Sequence, residues 1–289
     1  MKRVALLLAA LGATGCADVA QERVQVPLSL AGTDLSAPVT AEGDVPVTVE
    51  RADLAFGPLY LCAGSTAGDL CDTARLEWLE TAVVDAASAE PVPVGELSGL
   101  TGPVRSWMYD LGISSQLTHT EPVVLEAAEM LGGVSFVVEG VAEVEGQEVP
   151  FSAAVPVRQT DETELGVPVV RKSANETFGH EVAVDEPGLL VRFDAAAWIG
   201  RIDFRAYVED ASCAPDGPPL VCAGAVEQVC DEAGDVVDVR DCSDLDQVCV
   251  AGVGCADGVV IEPGTDAFRR LRNALVAGDR PTFEWGVAP

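Results

Sequence analysis

The chain has 289 residues, with 17 Lys and Arg against 47 Asp and Glu and a formal net charge of −30. That balance is repelled by nucleic-acid phosphates and by anionic bilayer surfaces, so it argues against a nucleic-acid partner. Hydrophobic residues make up 48% of the chain, which excludes wholesale disorder, because disorder needs low hydrophobicity as well as charge.

Lys2 and Arg3 form a positive start, Val4 to Leu11 is an apolar stretch broken only by alanines, and Ala13, Thr14 and Gly15 lead to Cys16. This is the layout of a secretory signal. Its apolar part is about ten residues, where a bilayer span needs roughly 20. Ala13-Thr14-Gly15-Cys16 resembles the lipobox of bacterial lipoproteins, a resemblance confined to the first 16 residues. It implies cleavage before Cys16, a diacylglycerol on its sulfur, and the membrane as partner through that lipid. The sequence departs from the family at Ala13, where Leu is favoured. An ordinary cut after Ala17, with Gly15 and Ala17 as the small pair, is the alternative. Ala17 also resembles the default outer-membrane sorting residue of lipoproteins, with Asp18 one position further on. Cleavage before Cys16 leaves 15 basic residues against 47 acidic, a charge of −32.

Nine cysteines are present. If Cys16 carries lipid, eight remain: Cys62, Cys71, Cys213, Cys222, Cys230, Cys242, Cys249 and Cys255. An even number suits an oxidising compartment with no thiol left over. No Cys-x-x-Cys pair occurs, so neither a thioredoxin-like site nor a zinc ribbon has support. Disulfides are expected, with Cys62 joined to Cys71 across a loop containing Gly64 and Gly68.

Residues 17–25 are polar and read as a tether. From Val26, period-2 segments dominate: Val45 to Val49 running on to Phe56, then Leu59 to Cys62, then Val104 to Leu111. Residues 123–131 fit a helix through Leu125, Ala128 and Leu131, or equally a strand. Two β-rich runs, Ser135 to Val144 and Val149 to Val157, flank Glu145-Gly146-Gln147 and predict a hairpin. Leu189 to Phe193 and Ile202 to Tyr207 add two more expected strands.

Between Ser212 and Ala256 six cysteines are separated by eight, seven, eleven, six and five residues, and large apolar side chains are few. Such a segment depends on cross-links rather than on a core. Its texture resembles the small disulfide modules of exported Gram-negative proteins, a resemblance that implies no activity. The arms Val226–Cys230 and Val236–Cys242 predict a small hairpin. Afterwards Thr265 or Asp266 caps an expected helix burying Phe268, Leu271 and Leu275 and stopping at Gly278, and Pro281 to Trp285 alternates as a last strand.

The expected fold is mainly β: an antiparallel sandwich, or a barrel-like form, with an inserted disulfide-rich module and a C-terminal helix plus strand. The expected divisions are signal peptide 1–15, lipidated tether 16–25, sandwich 26–211, cysteine-rich module 212–257, and a return to the sandwich over 258–289.

The search for chemistry is mostly negative. No nucleophile elbow, His-Glu-x-x-His, phosphate loop, dinucleotide fingerprint or haem attachment appears, and no cofactor is expected. His119 and His180 are the two imidazoles; a copper or zinc site would require them to converge, joined by Asp or Glu. Trp78, Trp107, Trp198 and Trp285 suit either a sugar-stacking platform or the core. Three functions stay open: a non-enzymatic binding or structural protein of the cell envelope with an envelope protein as a further partner, a metal-capture lipoprotein using His119 and His180, and a hydrolase built on paired carboxylates.

Overall fold

The structure is a computed structural model describing residues 21–64, 74–114, 122–157, 172–174, 179–208 and 212–287, with residues 172–174 as backbone only. Cys16, Cys71 and His119 lie outside the described residues.

Alternation makes the strands. In Phe136–Val144 the residues Phe136, Val138, Gly140, Ala142 and Val144 are buried, and in Gln147–Val155 the same holds for Val149, Phe151, Ala153 and Val155. The two pair from Phe136↔Val155 to Val144↔Gln147, closing the expected hairpin. Glu145 and Gly146 form its turn with φ of 53° and 83°. Positive φ at both central residues matches the right-handed twist of the arms.

Two sheets carry the fold. The longer has eight strands in the order Lys172–Ala174, Ser106–Tyr109, Leu59–Cys62, Ala74–Trp78, Val92–Leu100, Arg23–Ala31, Leu189–Arg192 and Thr282–Trp285. The shorter runs Val39–Ala41, Val45–Phe56, Phe136–Val144, Gln147–Val155 and Val259–Ile261, with Ala82–Asp85 added beside Val45–Phe56. Their inner faces share one core, in which Val26, Leu28 and Leu30 of the long sheet meet Val138, Val149 and Val155 of the short one. Phe56 spans the layers, 5.4 Å from the Tyr109 ring and 5.0 Å from Phe193. The protein is therefore mainly β, with a curled long sheet.

It is not wholly antiparallel. Arg23–Ala31 lies parallel to Leu189–Arg192, and Gln147–Val155 parallel to Val259–Ile261. Parallel neighbours need a long crossover, and here each pair is separated by about a hundred residues or more of chain. The second crossover contains the cysteine-rich segment, after which the chain re-enters the short sheet at Val259–Ile261 and the long sheet at Thr282–Trp285.

In the cysteine-rich segment Leu220–Ala223, Val226–Cys230 and Val236–Asp241 form a three-stranded sheet, and Val248–Val250 pairs with Gly254–Ala256. Three disulfides hold it: Cys213–Cys230, Cys222–Cys249 and Cys242–Cys255. Cys222, Cys242 and Cys249 form a small core of their own. Val250 joins the main core, and the Ala251 N–H donates to the Tyr207 carbonyl at 2.9 Å, tying the segment to the sheets.

Several local expectations change. The first strand begins at Arg23, inside the range read as tether, because Arg23 already pairs with Leu100 and Val24 is buried. Residues 123–131 hold both alternatives: a short strand, Val123–Val124, and then a helix, Glu126–Met130. Ile202 to Tyr207 is not a strand. Ile202 and Phe204 are buried as alternation implies, but the chain turns locally: the Ile202 N–H bonds Ile199, and Arg205–Tyr207 is a 3-10 turn. The Asp203 carboxylate accepts from the Arg205 N–H at 3.2 Å and favours that turn over an extended chain. Ahead of it the alanine-rich Ala195–Ile199 forms a helix capped by Asp194. Thr265, not Asp266, caps Asp266–Asn273, accepting from the Phe268 N–H at 3.2 Å, and Phe268, Leu271 and Leu275 are buried.

Candidate functional site

The long sheet curls until its two ends meet. Ser106–Tyr109 lies one strand from one end and Thr282–Trp285 is the other end. Even so, the rings of Trp107 and Phe283 are 5.1 Å apart. Alternation puts Phe283 and Trp285 on the inner side of the last strand, while Thr282 and Glu284 face solvent. Gly188 makes room for this strand: a Cβ there would come within 2.3 Å of the Val287 carbonyl oxygen.

His180 fills the seam from a third direction. Its strand, His180–Val182, belongs to neither sheet and pairs with Gly102–Val104, just ahead of Trp107. The imidazole lies flat on the Trp285 indole, 4.1 Å between centroids and 10° between planes. Behind it, Nε2 of His180 is 2.9 Å from Oε2 of Glu186, whose side chain is 6% exposed against 27% for His180. The nearly buried carboxylate fixes the ring and favours a proton on Nε2, leaving Nδ1 as an acceptor. Among the described residues, the buried Nε1 of Trp285 has no hydrogen-bond partner. The Arg280 guanidinium carbon stands 6.0 Å over the Trp107 ring, a cation–π geometry. The seam thus offers a flat half-buried aromatic surface, an imidazole nitrogen and a guanidinium, with the Trp285 indole nitrogen buried beneath it.

The other tryptophans are core. Trp78, Trp107 and Trp198 are buried, and only Trp285 is partly exposed, so the four make no common platform. Of the two candidate metal ligands, the structure places His180 in the seam, and His119 falls outside the described residues. Among the described residues no group of three or more His, Cys, Asp or Glu is arranged to hold a metal ion. Two further concavities are lined by charge. One of about 420 Å³ is bounded by Glu42, Arg201, Arg270, Asn273 and Asp279. There Arg201 pairs with Asp279 at 3.3 Å and Arg270 with Glu42. The other, about 600 Å³ on the short sheet, gathers Glu50, Glu139 and Asp257, with Glu139 held by Arg51 at 3.0 Å.

Every described cysteine is oxidised: the six of the C-terminal segment as paired above, and Cys62 as well. Glu186 and Arg280 carry no signal in the sequence. Their place follows from the curl of the sheet, which no local pattern announces.

No family model matches the chain, and no curated protein matches it in sequence. Among solved structures it is similar to MbnP from Methylosinus trichosporium, with a TM-score of 0.35 and 11% identity over 93% of this chain and 100% of that one.

Proposed function

We propose that this chain is a lipid-anchored protein of the cell envelope, held to the outer membrane by a diacylglycerol on Cys16, which binds a ligand or partner rather than converting a substrate. The observation that carries the reading is the oxidation of all seven described cysteines. Disulfides persist in oxidising compartments, which supports export. A Cys62–Cys71 bridge, the pairing expected from the sequence, would leave Cys16 as the one cysteine for lipid. The binding role rests on the seam, where Trp285 and His180 present a fixed, partly exposed stacked surface. Cell fractionation tests the anchor: the native chain should sediment with outer membranes and enter the detergent phase, and Cys16→Ala should release it to the aqueous phase. A Cys16→Ala variant that still partitions with detergent contradicts the anchor.

A second reading, metal capture, is favoured by one contact. A metal-ligating histidine usually donates its other ring N–H to a carboxylate, and His180 Nε2 faces Glu186 in that way. Nδ1 would then ligate copper or zinc, with His119 as the second imidazole. Metal analysis of the purified native chain checks this reading. Stoichiometric metal that is lost in both His180→Ala and His119→Ala supports it; metal-free protein after exposure to either ion rejects it.

A further inference from the structure

The strand Val236–Asp241 stands apart from the other strands whose side chains are described. All six of its residues are exposed, although their sequence is Val-Val-Asp-Val-Arg-Asp. It is the outer strand of the three-stranded sheet, paired on one side with Val226–Cys230 and, among the described residues, on no other. Val237 and Val239 are 61% and 59% exposed. An edge of β-branched residues with unpaired backbone groups is a template for another strand. Among the described residues no lysine, proline or covering element blocks this edge; its protection is a bulge at Val237 and the charges of Asp238, Arg240 and Asp241. The register shift at Val229/Cys230 leaves Val237 unopposed, a bulge near the start of the edge strand. The Val239 N–H donates to the Asp238 carboxylate at 2.9 Å, so an added strand pairs along 238–241 and displaces that side-chain bond.

Charge selects the occupant. Residues 212–257 hold ten acidic side chains and one basic, Arg240, and Arg240 already faces Glu227 at 3.6 Å. Asp235, Asp238 and Asp241 border the edge itself. Pairing with a second copy would set these carboxylates against their own kind, and opposed like charges destabilise a strand pair. A strand bearing lysine or arginine meets the opposite situation. The edge is also preformed, because Cys213–Cys230 ties down the neighbouring strand and Cys242–Cys255 the residue after Asp241. A partner therefore need not order it on binding.

The geometry points to Val236–Asp241 as a docking edge that adds an extended, basic, valine-like segment of a partner protein as a fourth strand. Main-chain hydrogen bonds would supply affinity, and the acidic border would supply selection. This inference is independent of the lipid anchor and of the seam.

The test uses the full chain and a short fluorescent peptide of alternating valine and lysine, read by anisotropy. Two controls accompany it: the same peptide with N-methylated backbone amides on alternate residues, and an alternating valine–glutamate peptide. The inference expects saturable binding of the basic peptide that weakens as salt rises. It also expects a loss of about tenfold or more on methylation, since the edge hydrogen bonds are removed. Asp235→Lys with Asp238→Lys should reverse the preference toward the glutamate peptide. Equal binding of the methylated peptide, an unchanged preference in the double variant, or no binding of the basic peptide would overturn it. A concentration-dependent dimer in light scattering that Val237→Lys abolishes would overturn it in favour of self-pairing. The methylation comparison needs no variant, so it decides even where the double variant misfolds.

Discussion

The imidazole of His180 and the indole of Trp285 stack at 4.1 Å with 10° between their planes, and this contact closes the curl of the long sheet. Trp285 belongs to the last strand of that sheet, and His180 to a strand paired beside its opposite end. The stack thus sits where a clasp would, and it is also the surface on which the proposed binding role rests.

If it is a clasp, Trp285→Ala should destabilise the protein by about 2 kcal/mol. That is less than the ~3–5 kcal/mol typical of a fully buried tryptophan. Trp198→Ala should reach the larger value: Trp198 is 2% exposed, meets Phe136 edge-on at 5.4 Å, and donates Nε1–H to the Asp279 carbonyl at 3.0 Å. Urea unfolding of the two variants measures the difference, and equal losses would deny that the Trp285 side of the seam is open.

Gly188→Ala should loosen the last strand without touching an aromatic ring. The added methyl meets the Val287 carbonyl oxygen at 2.3 Å, and backbone on that side must move. We expect a loss of about 1–3 kcal/mol, the range for overpacked sites, with hydrogen exchange accelerating in 282–286 before other strands. Unchanged exchange there would contradict the tight approach.

The disulfides should differ in weight according to the loops they close. Cys222–Cys249 spans 27 residues and Cys242–Cys255 spans 13. Chain entropy alone makes the first worth ~0.6 kcal/mol more than the second, out of roughly 3 kcal/mol each. Replacing each pair by alanines and comparing melting curves checks the order.

Alkaline pH offers a further check. Burial, and then the charges of Asp110 and Glu77, raise the Tyr60 phenol above its ordinary value of 10.0. The folded state holds that proton more tightly than the unfolded chain does. The resulting stability is whole below about pH 10 and is lost as pH rises through the raised folded value. Spectrophotometric titration of the native chain and of Tyr60→Phe should differ by a late-ionising step, and Tyr60→Phe should flatten the alkaline loss of stability.

Much of the β framework was legible because alternation and turn chemistry are local. The Phe136–Val155 hairpin and the Thr265-capped helix lie where the sequence puts them. Ile202 to Tyr207 misled because a turn that buries Ile202 and Phe204 shows the same spacing as a strand, and only the Asp203 side chain hints otherwise. The seam was not legible. His180, Glu186 and Trp285 are brought together by the accumulated twist of eight strands, and Trp285 looked like any tryptophan in an amphipathic strand. Six clustered cysteines admit about fifteen pairings that no local pattern distinguishes, and the structure holds one of them.

The lipid proposed on Cys16 is tested most directly by mass spectrometry of the N-terminal peptide of the mature protein. The expected result is a peptide beginning at Cys16 and heavier by a diacylglyceryl group, with no peptide retaining Gly15. A peptide beginning at Asp18, as cleavage after Ala17 would give, or one beginning at Cys16 with an unmodified thiol, would contradict it.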